Sequence, residues 1–306
     1  MIQHIKKDFT ALSVIYALAV IFLIVISLFA VPIKLRQLGI FVPEANVEER
    51  VDGFNIHAFD GVSVKAKSYI VYDVITGKVI AGKNETTPYP LASITKIMTA
   101  LTALDVASTS QKITVTKGSL DEGYDLGLSE NQVWRLGELL KYTLVFSSND
   151  GAQLIADKLL GRSAFIAKMN SYSDSLGFSM RFTQPAGLDV DGKLGGVGSA
   201  LDVARMMSLA RVELGNVLDS TTKTRARVNT STGALSGIPN TNQFIDEIVG
   251  AEASKTGYTD IAGGNLVLSI DATLGHPVII VVLGSTRDER FTDAYALYKA
   301  LKESIK

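Results

Sequence analysis

The chain has 306 residues, a formal net charge of −1 and no cysteine. This length allows one large domain or two ordinary ones, and the balanced charge lacks the basic surface that nucleic-acid binding normally needs. Without cysteine, thiol nucleophiles, disulfides and thiolate metal sites are excluded. The three histidines, His4, His57 and His276, are far apart and form no H-E-x-x-H motif, so we expect no histidine zinc site.

The first elements in chain order are an apolar segment and a spacer. No charged residue occurs from Phe9 to Ile33, and a helix over Ala11 to Val31 would be about 31 Å long, the thickness of a bilayer core. We predict an N-terminal segment, residues 1–37, with a transmembrane anchor at about 11–31. A cleaved signal peptide and a buried core helix are the alternatives. Residues 38–62, with little periodicity, are predicted to be a spacer before a folded domain at 63–306.

Beyond the spacer, strand patterns occur at both ends and helical patterns between them. Alternation and β-branched residues predict strands at 68–74, 78–82, 252–258, 265–270 and 278–283. Helical spacing of apolar residues predicts helices at 92–104, 136–145, 150–160, 164–176, 199–214 and 291–305. This order predicts an α/β (α+β) fold in which a helical subdomain is inserted between parts of one sheet.

Three short motifs carry residues suited to acyl transfer. They are S-x-x-K at Ser93 to Lys96, S-x-N at Ser147 to Asn149, and K-T-G at Lys255 to Gly257. The first two motifs are common by chance, and each has a second copy, at Ser220 to Lys223 and at Ser129 to Asn131. The K-T-G motif is rarer, so the three together in this order are more informative than any one alone.

The surroundings distinguish the first S-x-x-K motif from its second copy. Ser93 opens an apolar helix, and Lys96 follows one turn later on the same face. A lysine desolvated at such a place can lose its proton and serve as a base. The simpler alternative is that Ser93 caps the helix while Lys96 stays solvated. Ser220 lies in a polar, charged stretch where Lys223 would remain protonated.

The other two motifs lie where side chains can reach a cleft. Ser147 falls on a loop between two predicted helices, although it could instead cap the second of them. Lys255 lies on a predicted strand, and Gly257 would let a substrate backbone approach that strand closely.

Four longer runs resemble the D-alanyl-D-alanine carboxypeptidases, which are low-molecular-weight penicillin-binding proteins. The resemblance covers about residue 63 to the end, with Gly151 and Asn265 as departures from the usual pattern. It implies the penicillin-binding/β-lactamase-like transpeptidase fold, in which helices flank an antiparallel sheet. The runs begin at Pro90 (PLASITKIMTA), Phe146 (FSSND), Phe182 (FTQPAGL) and Lys255 (KTGYTDIAGG).

The resemblance also implies catalytic roles. Ser93 attacks the carbonyl between the two D-alanines, Lys96 takes its proton, and Ser147 relays a proton to the leaving amine. Backbone N–H groups of Ser93 and Tyr258 would form the oxyanion hole, and water would then hydrolyse the acyl-enzyme without metal or cofactor. The sequence does not decide whether Lys96 or Lys255 dominates proton handling.

The remaining residues that the resemblance implies bind substrate. Arg290 occupies the position of the arginine that holds the substrate's terminal carboxylate, and Arg287 is a nearby rival. Lys255 would supply positive charge, and Asn149 would hydrogen-bond the peptide. The full predicted substrate-binding set is Asn149, Lys255, Thr256, Gly257, Tyr258 and Arg290.

The resemblance, the apolar N-terminal segment and the balanced charge together imply partners and a location. The expected partners are the peptidoglycan stem peptide ending in D-Ala-D-Ala, β-lactam antibiotics as inhibitors, and the lipid bilayer through the N-terminal helix. No nucleic-acid partner is expected. We expect a single-pass protein of the cell membrane with its catalytic domain on the extracytoplasmic side.

Four other functions share some of these features. A class A β-lactamase also needs a glutamate beyond the second motif, and none occurs from Ser163 to Asp202, where only Asp174, Asp189 and Asp191 could substitute. A penicillin-binding sensor that does not turn over, and an endopeptidase that cuts cross-links, would keep the same acylation residues. A Ser-His-Asp hydrolase is disfavoured because no G-x-S-x-G motif surrounds a serine.

Overall fold

The computed structural model of the chain describes residues 50–51, 53–120 and 127–305. The predicted anchor and most of the predicted spacer lie outside these ranges. Within them, none of the helices combines the length and the apolar character needed to cross a bilayer.

Short and long strands alternate with helices along the described residues. The strands are β1 Arg50–Val51, β2 Phe54–Asn55, β3 Ser68–Asp73, β4 Val79–Lys83, β5 Tyr89–Pro90, β6 Lys112–Thr114, β7 Val133–Arg135, β8 Arg181–Phe182, β9 Gly196–Gly198, β10 Arg225–Thr230, β11 Gly233–Pro239, β12 Ala251–Thr259, β13 Gly263–Thr273 and β14 His276–Ser285. The helices are α1 Thr95–Val106, α2 Leu136–Val145, α3 Asn149–Leu159, α4 Arg162–Ser175, α5 Ala200–Leu214, α6 Asn216–Asp219 and α7 Glu289–Ser304.

The central element is a five-stranded sheet in the order β12-β13-β14-β3-β4, and every neighbouring pair is antiparallel. Strand β14 shows why this region forms a sheet, because Val278 to Leu283 are all buried and most are β-branched. Burying such a side chain contributes about 1.5–3 kcal/mol. The predicted antiparallel sheet is therefore confirmed, and the helices α1 to α6 lie between β4 and β12 as expected.

Two hydrophobic cores lie on opposite faces of this sheet. Alternation along β3 divides its side chains, since Ile70 joins the core with helices α1, α2 and α5, whereas Val71 joins the core with α7. Phe54 and Phe59, which the sequence assigns to the spacer, are buried in the α7 core. The folded body therefore includes residues that precede the predicted boundary at 63.

Three smaller sheets among the described residues were not predicted. Their strand orders are β11-β10-β7-β6, β5-β9-β8 and β1-β2. In β10 only Ala226 and Val228 are buried, and they alternate with exposed Arg225, Arg227 and Asn229. Because the basic residues made this stretch look like a polar loop, its alternation was not recognised as a strand. The strands β6 and β7 have three residues each and are too short to show a periodic pattern.

Helix α7 is fixed to the sheet by one buried carboxylate. The Asp293 side chain accepts hydrogen bonds from the backbone N–H groups of Lys65 and Ala66, each at 2.9 Å, and from the Ser285 hydroxyl. These bonds join the helix to β14 and to the segment before β3, so they set the position of the strand ends on which the site is built.

Candidate active site

The predicted nucleophile lies in a tight turn just before a helix. Ser93 is the middle residue of the 3₁₀ turn Ala92–Ile94, and α1 begins only at Thr95, so Ser93 does not open the α-helix as predicted. Ala92 has φ of 48°, a left-handed conformation that costs a non-glycine residue about 1–3 kcal/mol. The turn is held on one side by the Leu91 N–H, which donates to the Gly196 carbonyl at 2.8 Å.

Lys96 joins three separate stretches of the chain. Its side chain is fully buried, and Nζ lies 2.8 Å from each of three acceptors: Ser93 Oγ, Asn149 Oδ1 and the Ala186 carbonyl oxygen. The prediction that Ser93 and Lys96 share one face is confirmed by this contact. An amine held this close to the hydroxyl is placed to accept its proton once the amine is neutral.

Ser147 and Lys255 form the opposite side of the site. Lys255 Nζ donates to Ser147 Oγ at 2.9 Å and to the Thr256 carbonyl at 2.7 Å. Ser147 has φ of 63°, whereas its neighbour Ser148 caps α3 by accepting from the Gly151 N–H at 2.7 Å. The helix cap is therefore Ser148, which leaves the Ser147 hydroxyl to the site.

Burial lowers the pKa of the Lys255 ammonium well below its usual value, and the nearby positive charges of Lys96 and Arg290 lower it further. The folded state therefore releases this proton at lower pH than the unfolded chain does. Between the lowered pKa and the ordinary value, the unfolded chain binds more protons than the folded protein does. The free energy of unfolding therefore rises with pH across this window, and it is smallest at pH values below the window.

The stability of a Lys255→Met variant tests this pKa shift. The wild-type free energy of unfolding should rise with pH across the window by up to about 1.4 kcal/mol per unit relative to the variant. Denaturant unfolding at a series of pH values measures the difference, with Lys223→Met at an exposed lysine as the control. Equal slopes for wild type and Lys255→Met would contradict the shift.

Gly257 lets strand β12 approach the Ala92–Ile94 turn, which carries Ser93. A Cβ at this position would lie 2.8 Å from the Leu91 carbonyl oxygen and 3.2 Å from the backbone nitrogens of Ser93 and Ile94. The sequence led us to expect that this glycine admits a substrate backbone. The structure shows that it admits the chain's own turn, and so holds β12 against Ser93.

Adding a methyl group at Gly257 should separate these two elements. We expect Gly257→Ala to lower the acylation rate at least tenfold while the thermal midpoint falls only moderately, because the change displaces the site more than the core. Gly61→Ala is the matched control, since a Cβ there meets no atom within 4 Å. Acylation at the wild-type rate in Gly257→Ala would show that the close approach is not needed.

The other predicted binding residues surround the end of β12. Thr256 Oγ1 contacts Thr241 Oγ1 at 2.7 Å, and Tyr258 is partly exposed, with the Arg287 guanidinium 5.2 Å from its ring centroid. Tyr258 donates its hydroxyl to Asp260.

Arg290 is buried beneath the end of β12. Its Nη1 donates to the Gly257 carbonyl at 2.7 Å, and its guanidinium lies 4.6 Å from the Phe291 ring centroid. Burial, followed by repulsion from Arg287, lowers the pKa of Arg290 to about 10, so it stays charged at neutral pH. The arginine supports the carbonyl of Gly257, and its predicted carboxylate role stays a prediction beside the more exposed Arg287.

Two residues that the sequence did not assign to the site support it. The Asp189 carboxylate accepts from Thr259 Oγ1 at 2.6 Å and from the Gly195 N–H at 3.0 Å, which closes the loop that presents the Ala186 carbonyl. Buried Asn265 donates to the Pro90 carbonyl at 2.9 Å and accepts from the Gly284 N–H at 2.8 Å. Both Asn265 contacts and one Asp189 contact are to backbone groups, which leave no motif in a sequence.

The site is built from hydroxyl, amine and amide groups. Among residues 50–51, 53–120 and 127–305, no group of three or more histidine, aspartate or glutamate side chains could hold a metal ion. A serine in contact with a buried lysine, opposite a second serine–lysine pair, defines a serine acyl-transfer enzyme of the penicillin-binding type. The chain belongs to the peptidase S11 family, D-alanyl-D-alanine carboxypeptidase, whose profile matches residues 55–287.

Individual relatives agree with this assignment. The D-alanyl-D-alanine carboxypeptidase DacB2 of Mycobacterium tuberculosis is 30% identical over 201 residues, which cover 64% of this chain and 67% of that protein. A D-alanyl-D-alanine endopeptidase of Haemophilus influenzae is 32% identical over 213 residues, 66% of this chain and 69% of that protein.

Solved structures share the fold. A D-alanyl-D-alanine carboxypeptidase from M. tuberculosis H37Rv aligns with a TM-score of 0.71 and 27% identity, covering 78% of this chain and 91% of that one. Penicillin-binding protein D2 of Listeria monocytogenes, in its cefotaxime-bound form, aligns with a TM-score of 0.69 and 29% identity, covering 79% and 98%. The penicillin-binding fold predicted from the sequence is thus confirmed.

Proposed function

We propose that this D-alanyl-D-alanine carboxypeptidase removes the terminal D-alanine of peptidoglycan stem peptides through an acyl-enzyme on Ser93. The observation that carries the proposal is the 2.8 Å contact between Ser93 Oγ and Nζ of the fully buried Lys96. Proton removal by a side chain positioned in this way typically contributes 10²–10⁴-fold to a rate.

The proposed reaction follows from the two serine–lysine pairs. Ser93 Oγ attacks the carbonyl carbon of the D-Ala–D-Ala bond while its proton passes to the Lys96 amine, and the carbonyl becomes an oxyanion. Backbone N–H groups of Ser93 and Tyr258 would stabilise this charge, each by about 3–4 kcal/mol. Ser147, beside Lys255, then relays a proton to the leaving amine as the C–N bond breaks, and free D-alanine departs.

Hydrolysis completes the cycle. Water attacks the ester of Ser93, which releases the shortened peptide and restores the hydroxyl. Asn149, held by Lys96, and Thr256 lie beside the serines, where they can hydrogen-bond the peptide backbone. A charged Arg290 or Arg287 suits the terminal carboxylate of the substrate, because guanidinium groups bind carboxylates with two parallel hydrogen bonds.

The proposal extends to β-lactams as inhibitors. Such compounds carry a strained amide that Ser93 would open in the same way, leaving a stable ester on the serine. Solved structures of the Listeria relative hold cefotaxime and ampicillin.

Release of D-alanine from a synthetic pentapeptide tests the proposed function. The purified chain should liberate one D-alanine per peptide, and prior treatment with penicillin should stop the release. A protein that takes up labelled penicillin yet liberates no D-alanine would be a non-hydrolysing sensor, and the carboxypeptidase proposal would fail.

An endopeptidase is the second candidate, because the H. influenzae relative carries that name. Both activities use the same acylation residues and differ in the leaving group. Incubation with cross-linked muropeptide dimers separates them, since an endopeptidase converts dimers to monomers, whereas a strict carboxypeptidase leaves the cross-link and removes only terminal D-alanine.

Two of the three aspartates that could replace the β-lactamase glutamate have other partners. Asp174 pairs with Arg181 at 2.8 Å on the surface, and both oxygens of Asp189 accept hydrogen bonds from Thr259 and Gly195. These contacts favour the carboxypeptidase over rapid antibiotic hydrolysis.

We also propose that residues 11–31 anchor the chain in the cell membrane, with the catalytic domain on the extracytoplasmic side where peptidoglycan lies. The uncharged stretch from Phe9 to Ile33 supports this proposal. The full chain should sediment with membranes, and a chain lacking residues 1–37 should not. Recovery of the full chain in the soluble fraction would refute the anchor.

A further inference from the structure

Three exposed apolar side chains lie at one end of the five-stranded sheet. Leu274 is the tip of the β13–β14 turn and is 102% exposed, Ile75 lies in the β3–β4 turn at 60%, and Val249 lies just before β12 at 73%. The strand pairing places all three at the same end, because Asp73 pairs with Val278 and Ala251 with Ile270. We call Leu274, Ile75 and Val249 the apolar tips.

The apolar tips are held in place by the fold. The Asp73 carboxylate accepts from the Ile75 N–H at 2.9 Å, and the Asp271 carboxylate accepts from the His276 N–H at 2.9 Å across the turn that carries Leu274. The Val249 N–H donates to the Tyr298 hydroxyl at 3.2 Å. Rigid turns therefore present these side chains to the surroundings, where single turns normally carry polar residues or glycine.

The spacing of the apolar tips suits contact with a partner whose surface is broad and apolar. Neighbouring strands are about 4.8 Å apart, so the three tips span roughly 17 Å across the sheet end. None of the turn segments 74–78, 248–250 and 273–276 contains an acidic residue, and Lys78 is the one lysine among them. Apolar side chains beside a lysine suit the bilayer interface. Of the nearest carboxylates, those of Asp73 and Asp271 accept backbone hydrogen bonds within the turns, and those of Asp246 and Glu247 lie on the segment before Val249.

The place where the chain enters the folded domain, at Phe54, also favours the bilayer interface as the partner of the apolar tips. The Phe54 ring makes an edge contact with the His276 ring, with centroids 5.1 Å apart, and His276 closes the turn of Leu274. The polypeptide therefore enters the folded body beside the apolar tips. The uncharged stretch from Phe9 to Ile33 precedes this entry, and the chain between the two is short enough to give an effective concentration in the millimolar range.

We propose that the apolar tips rest in the phospholipid interface of the membrane that holds the anchor, an inference that depends on the anchor proposed above. Weak apolar contacts are enough to hold the apolar tips at the interface, because the proposed N-terminal anchor keeps the folded domain near the bilayer. The site lies at the other end of the sheet, since Gly257 is six residues along β12 from Ala251, about 20 Å away. The contact would therefore turn Ser93 away from the membrane and towards the cell wall.

Single-cysteine labelling tests this contact, and the chain is suited to it because it has no native cysteine. Leu274→Cys in the full chain is labelled with an environment-sensitive fluorophore and reconstituted into vesicles of phosphatidylethanolamine and phosphatidylglycerol. The matched control is Ile261→Cys, which is 53% exposed in the β12–β13 turn at the opposite end of the sheet. We expect a blue shift and quenching by quencher-bearing lipids at 274, and neither at 261.

The outcomes separate the contact from the anchor. Flotation of the full chain with vesicles, but the same emission at 274 and 261, overturns the contact while the anchor stands. Failure of the full chain to float overturns both. A further variant, Ile75→Ser with Val249→Ser, should weaken quenching at 274 at least twofold, and D-alanine release from a soluble pentapeptide by this chain should be unchanged.

Discussion

Replacement of Ser93 by alanine should lower D-alanine release from a pentapeptide by on the order of 10⁴-fold or more, because the acyl bond cannot form without this oxygen. The fold should survive, since Ser93 is only partly buried and the turn around it is held by the backbone of Leu91. The rate of release and the thermal midpoint of the variant measure the two effects.

Ser220→Ala is the matched control for this prediction, because Ser220 begins the second S-x-x-K motif. Its hydroxyl donates to the Val217 carbonyl at 2.6 Å in a 3₁₀ turn, and Lys223 is exposed. This variant should release D-alanine at nearly the wild-type rate. Comparable losses in both variants would mean that Ser93 has no special role.

Lys96→Met should abolish most acylation, with an expected loss of 10²–10⁴-fold in the rate of penicillin uptake. Methionine fills much of the same volume, but it removes the amine that contacts Ser93, Asn149 and Ala186. The Asn149 and Ala186 acceptors then lose a donor, which costs about 1–3 kcal/mol of stability. Stopped-flow acylation and denaturant unfolding measure these effects separately.

Stopped-flow acylation of a Lys255→Met variant indicates which lysine contributes more to proton transfer, a question that the sequence leaves open. Lys255 contacts Ser147 and not Ser93, so its loss should slow departure of the leaving group more than the opening of a β-lactam ring. A Lys96→Met variant that acylates as fast as wild type would exclude Lys96 as the base for Ser93.

Much of the fold could be read from periodicity. The predicted helix 136–145 coincides with α2, and the other long helices and sheet strands lie close to their predicted places, because their apolar faces are buried in the two cores. The strand pair β10–β11 was missed because Arg225 and Arg227 dominate its composition. The short 3₁₀ turn at Ser93 was read as the start of a helix, since both patterns place Ile94 and Ile97 inward.

The site was predicted through its side chains and missed where backbone groups form it. Ser93, Lys96, Ser147, Asn149 and Lys255 stand out as motifs, and the structure brings them together. The Ala186 carbonyl that accepts from Lys96 depends on how a distant loop folds, and residue identity does not reveal it.

One departure from the family pattern gains a physical reason. Gly151 lies in the first turn of α3, where a Cβ would come 2.8 Å from Ser148 Oγ and closer still to Thr143 Oγ1. Contact with the Thr143 and Ser148 hydroxyls therefore explains why this chain has glycine at position 151. The helix that carries Asn149 keeps its place without the extra methyl group.

The most direct measurement is mass spectrometry of the penicillin-treated chain, with the modified residue located by peptide mapping. One penicilloyl group should be found, on the peptide that contains Ser93, and it should form about 10²–10⁴-fold more slowly when Lys96 is replaced by methionine. An adduct on Ser147, on Ser220 or on no serine at all would contradict the assignment of Ser93 as the nucleophile.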